Sequence, residues 1–281
     1  MIELNWTILI QMVNFLILIF VLNKILYKPV LKVLEERDEK IYGGQQKIKD
    51  LEEETRQMLI ASQKGEAKTM VGFNRRFSPA AAQARKHFGT APGPLTMLYR
   101  INAGFIPRNH WTQDPIEGGG RILGEVCHFI DLMQFMCGAD PVAVSAMCID
   151  STNTAAVPED HVVINLKFAD GSVGSIGYFA SGAPSMPKEQ LEILGAGRSA
   201  VIHNFQKITL YGAGKTRHIR CGSKGHKEEV LAFLDGIKRG IAPISLISQL
   251  ATTLATMRIR DALAHGRIER VDLAELADHD T

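Results

Sequence analysis

The sequence predicts an α+β fold: one N-terminal transmembrane helix with a charged helical extension, then a mostly antiparallel sheet with flanking helices. Three observations carry this expectation. Residues 6–26 form a predominantly apolar run with no full charge until Lys24. Residues 30–63 are dense in Glu, Lys, Arg and Gln. Beyond residue 70, short alternating segments follow one another through glycine turns with few helices between them, the pattern of strands pairing with their sequence neighbours. The expected organisation is an anchor and short charged stalk over 1–63, a junction over 64–70, an α+β domain over 71–270 and a polar tail over 271–281.

The run "WTILIQMVNFLILIFVLNKIL" (Trp6–Leu26) is long enough to cross a hydrocarbon core of about 30 Å as a helix. A signal peptide opens on a basic region, but here Glu3 is the only charge ahead of the run, and no small-x-small cleavage site follows. Lys24, Lys28 and Lys32 flank the C-terminal side, and no Lys or Arg precedes the run. The positive-inside rule then predicts a single-pass protein of the cell inner (cytoplasmic) membrane with its C-terminal domain in the cytoplasm. Behind the span, Leu34, Ile41 and Ile48 recur at seven-residue steps, while Asp38, Gln45 and Gly43-Gly44 interrupt the pattern. A weak coiled coil and a solvated single helix both fit.

In the soluble part, "PLTMLYRIN" alternates Leu95, Met97, Tyr99 and Ile101 on one face. "HVVINLKFADGSVGSIGYFA" reads as strand, Asp170-Gly171 turn, strand. "LEILGAGRSAVIHNFQKITLYGAGKTRHIR" reads as short strands joined by glycine turns. Three helices are expected. Residues 125–138 put Val126, Phe129, Ile130, Met133 and Met136 on one side and stop at Gly138. Residues 227–240 are expected to bury Val230, Leu231, Leu234 and Ile237. Residues 245–266 start at a Ser245 cap and stop at Gly266. The tail from Glu269 reads as polar and frayed.

Net charge is +2 with 22% charged residues, which implies no broad nucleic-acid surface. Cys127, Cys137, Cys148 and Cys221 form no CxxC pair or Cys/His metal spacing, so they read as reduced thiols and no metal site is expected. The stretch that points to chemistry is "GGGRILGEVCHFIDL", Gly118 to Leu132. Its glycines, Gly119 and Gly120 among them, let a ligand approach the backbone closely. A helix expected to start near Gly124–Glu125 would offer free N–H groups. Glu125, His128 and Asp131 follow at i, i+3 and i+6, and a histidine between carboxylates can serve as acid or base. A satisfied structural histidine is the competing account. Arg75, Arg76, Arg108, Trp111, Asp114, Gly119, Gly120 and Asp131 are candidate substrate contacts. "LGAGRSA" matches GxGxxA by letter, but a strand follows it, so it reads as a hairpin turn and not as a dinucleotide fingerprint.

Two resemblances follow from these phrases. "MIELNWTILIQMVNFLILIFVLNKILYKPVLKVLEERDEKI" resembles the N-terminus of the b subunit of bacterial F-type ATP synthase. It implies membrane anchoring and ATP synthase Fo subunits as partners. That family's stalk would run far beyond residue 60. "VGFNRRFSP", "HWTQDPIEGGGRILGEVCHFIDL", "LEILGAGRSAVI" and "KGHKEEVLAFLDGIKRG" resemble the C-terminal domain of Gfo/Idh/MocA oxidoreductases. This second resemblance implies an open sheet that holds the substrate and often forms a homodimer, NAD(P) as cofactor, and sugars or polyols as substrates. It makes His128 and Glu125 the candidate catalytic pair, although the family's usual aspartate position holds Gly124. The family's Rossmann half has no counterpart in the motifs, so NAD(P) is expected not to be bound by this chain alone. Residues 64–70 read as a fusion point, making the chain a chimera of two unrelated segments.

Overall fold

The computed structural model describes residues 68–276 apart from 90–92, 115–116, 151–156 and 213, together with Lys24, Lys28, Lys49, Asp50, Glu53, Arg56 and Gln57. The expected transmembrane helix, but for Lys24, lies outside the described residues, as do most of the charged stalk and the tail beyond 276. Among the described residues no helix is long and apolar enough to cross a membrane. The chain divides after residue 47 into two units, and the fold below belongs to the second.

Nine strands make one sheet: β1 (Thr96–Asn102), β2 (Pro141–Cys148), β3 (His161–Phe168), β4 (Val173–Phe179), β5 (Glu189–Gly195), β6 (Arg198–His203), β7 (Lys207–Gly212), β8 (Lys215–Arg220) and β9 (Glu269–Arg270). Their order is β8-β7-β6-β5-β1-β4-β3-β2-β9. Only β1 and β4 pair in parallel, so the sheet is mostly antiparallel, as expected. From residue 68 on, the described α-helices are α1 (Pro79–Phe88), α2 (Cys127–Cys137), α3 (His226–Arg239) and α4 (Leu246–His265); Lys49, Asp50, Glu53, Arg56 and Gln57 are helical as well.

Alternation decides which face is covered. Met97, Tyr99 and Ile101 of β1, Ile176 and Tyr178 of β4, and Ile164 and Leu166 of β3 share one buried face. Full burial of each such side chain contributes about 1.5–3 kcal/mol. α1 packs over β6 and β7 and α4 over β2. Phe129 of α2 meets Tyr99 edge-on at 5.0 Å and lies 6.1 Å from Tyr178. The other face is open, with Leu98, Val163 and Met147 exposed on it.

The expected punctuation is present. Asp170 Oδ1 accepts from the Ser172 N–H at 2.9 Å in the β3–β4 turn. Ala196 and Gly197, both at positive φ (50° and 69°), close the β5–β6 hairpin, so "LGAGRSA" is a turn. The Ser245 hydroxyl accepts from the Ser248 N–H, and α2 and α4 end on the left-handed Gly138 and Gly266.

Three expectations are corrected. The helix expected from Gly124–Glu125 begins earlier, because a π-helical turn (Ile122–Val126) runs into α2 and places Glu125 inside it. The segment from Glu269 is not frayed at its start: β9 pairs with β2 and Val271 is buried. Val230, Leu231, Leu234 and Ile237, expected to be buried, are 57%, 55%, 49% and 52% exposed. Spacing shows that a helix has an apolar face but not what covers it, and among the described residues nothing covers this one. We therefore expect Leu231→Gln with Leu234→Gln to leave the melting temperature of the full chain within about 2 °C. Light scattering should show less self-association. A large drop in melting temperature would mean the face is packed.

Candidate functional site

The 3-10 turn Asn74–Phe77 aims two consecutive arginines in different directions. Arg75 donates to both oxygens of Glu189, at 2.8 Å and 3.0 Å. The Tyr99 hydroxyl and Lys224 Nζ each add a hydrogen bond of 2.6 Å to the same carboxylate. Glu189 is 1% exposed. Burial alone would push its carboxyl up, but the hydrogen bonds and charge of Arg75, then of Lys224, outweigh burial and hold it at about 2. The Tyr99 phenol is driven up, first by burial and then by the Glu189 charge. Gly225 seals the knot: at φ +95° it lies so close to the turn that a Cβ would fall 2.1 Å from the Asn74 carbonyl oxygen.

Arg76 donates to Asp131 at 2.9 Å and 2.5 Å, and Asp131 is fully buried. Burial raises the Asp131 carboxyl to about 6 against the pull of Arg76. These two candidate substrate contacts thus bind each other.

The π turn brings Arg121 and Glu125 together. Arg121 Nε and Nη2 lie 3.2 Å and 3.1 Å from Glu125 Oε1, and Lys188 Nζ lies 3.5 Å from Oε2. Burial would raise the Glu125 carboxyl, but Arg121 and then Lys188 bring it below the usual range. Arg121 also donates to the Gly104 carbonyl at 2.7 Å, stands 3.7 Å from Asp160 and covers the Tyr178 ring at 5.1 Å. Asp160 Oδ1 is buried without a hydrogen-bond partner among the described residues, and the Tyr178 phenol is driven up by burial and then by the neighbouring Glu125 charge.

His128 is half-buried at the start of α2, edge-on to Phe73 at 5.7 Å. Its Nδ1 is buried without a partner. Burial, then the charge of Arg75, lowers its pKa to about 4, while Glu125 and Glu189 pull the other way. At neutral pH the ring is therefore uncharged, able to donate through one nitrogen and accept through the other. The neighbouring Cys127 thiol is pushed up to about 12 by burial and is no nucleophile.

The structure thus gathers Arg75, Glu125 and His128, with the Arg76–Asp131 pair behind them. Gly119 and Gly120 are left-handed and lead into the π turn. Arg108 and Trp111 are exposed on the preceding loop, and Asp114 Oδ1 accepts from the Glu117 N–H there. A cleft of about 670 Å³ opens beside the site, lined by Asn102, Phe105, Ser181, Met186 and Lys188 among others. Lys188 joins it to Glu125.

Sequence reasoning missed Glu189, Tyr99, Lys224, Arg121, Lys188 and Asp160. One signal was present: Glu189 shares parity with Leu191 and Ile193, so it falls on the inward face of a strand.

Comparison with known proteins finds two segments. The GFO/IDH/MocA C-terminal domain model matches residues 56–201, and the ATP synthase B/B' CF(0) model matches residues 7–87. ATP synthase subunit b 1 of Prosthecochloris aestuarii is 43% identical over 61 residues, 21% of this chain and 24% of that protein. Inositol 2-dehydrogenase of Rhizobium meliloti is 25% identical over 221 residues, 72% of this chain and 65% of that protein. The chain thus spans under two thirds of either relative. Levoglucosan dehydrogenase, solved with NADH and levoglucosan, superposes with a TM-score of 0.64 at 20% identity, over 78% of this chain and 70% of that one. This last likeness concerns the fold.

Glu189 generates a prediction. Glu189→Gln leaves Arg75 and Lys224 without their carboxylate and should cost about 3–5 kcal/mol in urea denaturation. In the wild type, the depressed Glu189 pKa adds stability that is complete above the ordinary value near 4.5 and is lost as pH falls toward about 2. A variant as stable as wild type would contradict the assignment.

Proposed function

We propose that this chain, which belongs to the GFO/IDH/MocA C-terminal domain family, is the substrate-holding part of a sugar or polyol oxidoreductase, tethered to the membrane through residues 6–26. The observation that carries this reading is the neutral His128, its buried Nδ1 without a partner, beside a Glu125 kept ionised by Arg121 and Lys188. A polyol hydroxyl both donates and accepts hydrogen bonds. It can give its proton to an imidazole nitrogen or to the Glu125 carboxylate and accept from Lys188. The names of the relatives, an inositol dehydrogenase and a levoglucosan dehydrogenase, support the same substrate class.

NAD(P) is the cofactor this reading implies, and the described residues do not fit its pyrophosphate. Gly195-Ala196-Gly197 closes the β5–β6 hairpin and Gly212 pairs with Lys215 across the β7–β8 hairpin, so neither glycine-containing stretch opens a helix after a strand. No hydride step is assigned to this chain. His128 and Glu125 orient a hydroxyl, and a separate nucleotide-binding partner completes the reaction. A homodimer would form through the open sheet face around Leu98, Val163 and Met147.

A second reading rests on the 43% identity of the N-terminal segment to an ATP synthase subunit b. It makes the chain a stator-like anchor of the Fo sector, in the inner membrane with its C-terminal domain in the cytoplasm. Co-purification with ATP synthase from detergent extracts would support it, and absence from that complex counts against it.

The test of the first reading is calorimetric titration of the full chain with inositol. Saturable binding is expected, weakened about three- to tenfold in His128→Ala by loss of one hydrogen bond. No saturable binding by the wild type would overturn it.

A further inference from the structure

The cleft beside the site is larger than the holding of one hydroxyl requires. Its volume of about 670 Å³ falls within the range of about 300–1,000 Å³ that encloses drug-sized ligands. It joins the site through Lys188, whose Nζ stands 3.5 Å from Glu125 Oε2. From there it runs between the segment after β1 and the loop that links β4 to β5. That loop is held in place before any ligand arrives. Asn102, 9% exposed, donates through Nδ2 to the carbonyls of Ala183 and Met186 at 2.8 Å and 3.2 Å. Arg100 donates to the Pro187 carbonyl at 2.9 Å, and the Met186 N–H closes a turn on the Ala183 carbonyl at 3.0 Å. Gly182 lies against Asn102 Oδ1 with no room for a Cβ. Asn102 is thus committed to the wall, and Phe105, Ser181, Ser185, Met186 and Lys188 are left to face a ligand.

The chemistry of this lining selects the ligand. Phe105 and Met186 are 65% and 45% exposed. A single exposed apolar residue needs no explanation, but these two line a preformed cleft that opens onto Glu125. Ser181 and Ser185 are exposed beside them, and each hydroxyl both donates and accepts. An aromatic ring next to neutral hydrogen-bonding groups fits a sugar ring, which has an apolar face and a hydroxylated edge. Among the described residues Lys188 is the only charged one in the lining, and Glu125 balances it. That is poor provision for a phosphate or a nucleotide, whose charge is met by clustered Arg, Lys or backbone N–H groups.

We propose that the cleft holds a second, neutral sugar ring joined to the ring that His128 and Glu125 engage, so that the substrate is a glycoside rather than a free monocyclic polyol. The inference rests on the reading of His128 and Glu125 as the pair that orients a hydroxyl. Phe105 stacks on the second ring, and Ser181, Ser185 and Lys188 bond its hydroxyls. Because the wall is already pinned by Asn102 and Arg100, little ordering opposes this binding.

The experiment is calorimetric titration of the full chain with inositol, galactosyl-inositol and UDP-galactose. The second ligand adds a neutral ring to inositol, and the third carries a charged extension instead. Galactosyl-inositol should bind about tenfold tighter than inositol, through one stacked ring and one or two hydrogen bonds. In Phe105→Ala that ratio should fall to about two or less, and Ser185→Trp, which fills the cleft from its rim, should remove it as well. Both positions are exposed, so neither change disturbs the core. Inositol binding with no preference for galactosyl-inositol overturns the second-ring site and leaves the hydroxyl-orienting pair standing. A preference that survives both substitutions places the second ring elsewhere and overturns the site too. Tighter binding of UDP-galactose than of galactosyl-inositol overturns the neutral assignment. Binding of galactosyl-inositol alone, lost in both variants, upholds the cleft and removes inositol as a sufficient ligand. No saturable binding of any of the three overturns both readings.

Discussion

The carboxylate of Glu189 is the constraint on which the rest of the site depends. It is buried where an unpaired charge would be prohibitive, and four hydrogen bonds from Arg75, Tyr99 and Lys224 make it tolerable. Those donors come from the turn at 74–77, from β1 and from the segment entering α3, so one side chain ties three remote parts of the chain to β5. With Arg75 committed, its neighbour Arg76 is left to reach Asp131 on α2. The position of α2, and therefore of His128, follows from that pair.

The same arrangement sets the electrostatics. Arg75 is close enough to His128 to disfavour its protonation, and burial adds to the effect. Glu125 and Glu189 pull the other way but do not overcome it, and Glu125 is itself paired with Arg121 and Lys188. The result is a neutral imidazole beside an ionised carboxylate in a polar, partly enclosed region. That combination suits hydrogen bonding to hydroxyl groups better than nucleophilic attack. The Tyr178 ring and the buried, unpartnered Asp160 Oδ1 also lie around Arg121.

What could be read from the sequence was local. Alternation in "PLTMLYRIN", the Asp170-Gly171 turn, the Ser245 cap and the terminal glycines of two helices each follow from a few adjacent residues. What was missed depended on distance or on partners. Glu189 meets Arg75 across 114 residues and Tyr99 across 90, and no periodicity encodes such a meeting. The π turn shifted the start of α2 because one wide turn changes register without changing composition. The apolar face of α3 was legible as a face, but its exposure was not. Of the candidate site residues, His128, Glu125 and Arg75 came together, while Arg108, Trp111 and Asp114 stayed on an exposed loop.

The most direct test of this account is the protonation of His128 in the full chain, followed by NMR of its imidazole carbons between pH 8 and pH 3.5. Burial and the Arg75 guanidinium predict a neutral ring down to a midpoint near 4. A midpoint at the ordinary value of about 6.5 would contradict it. It would mean that neither Arg75 nor burial shapes the site as described.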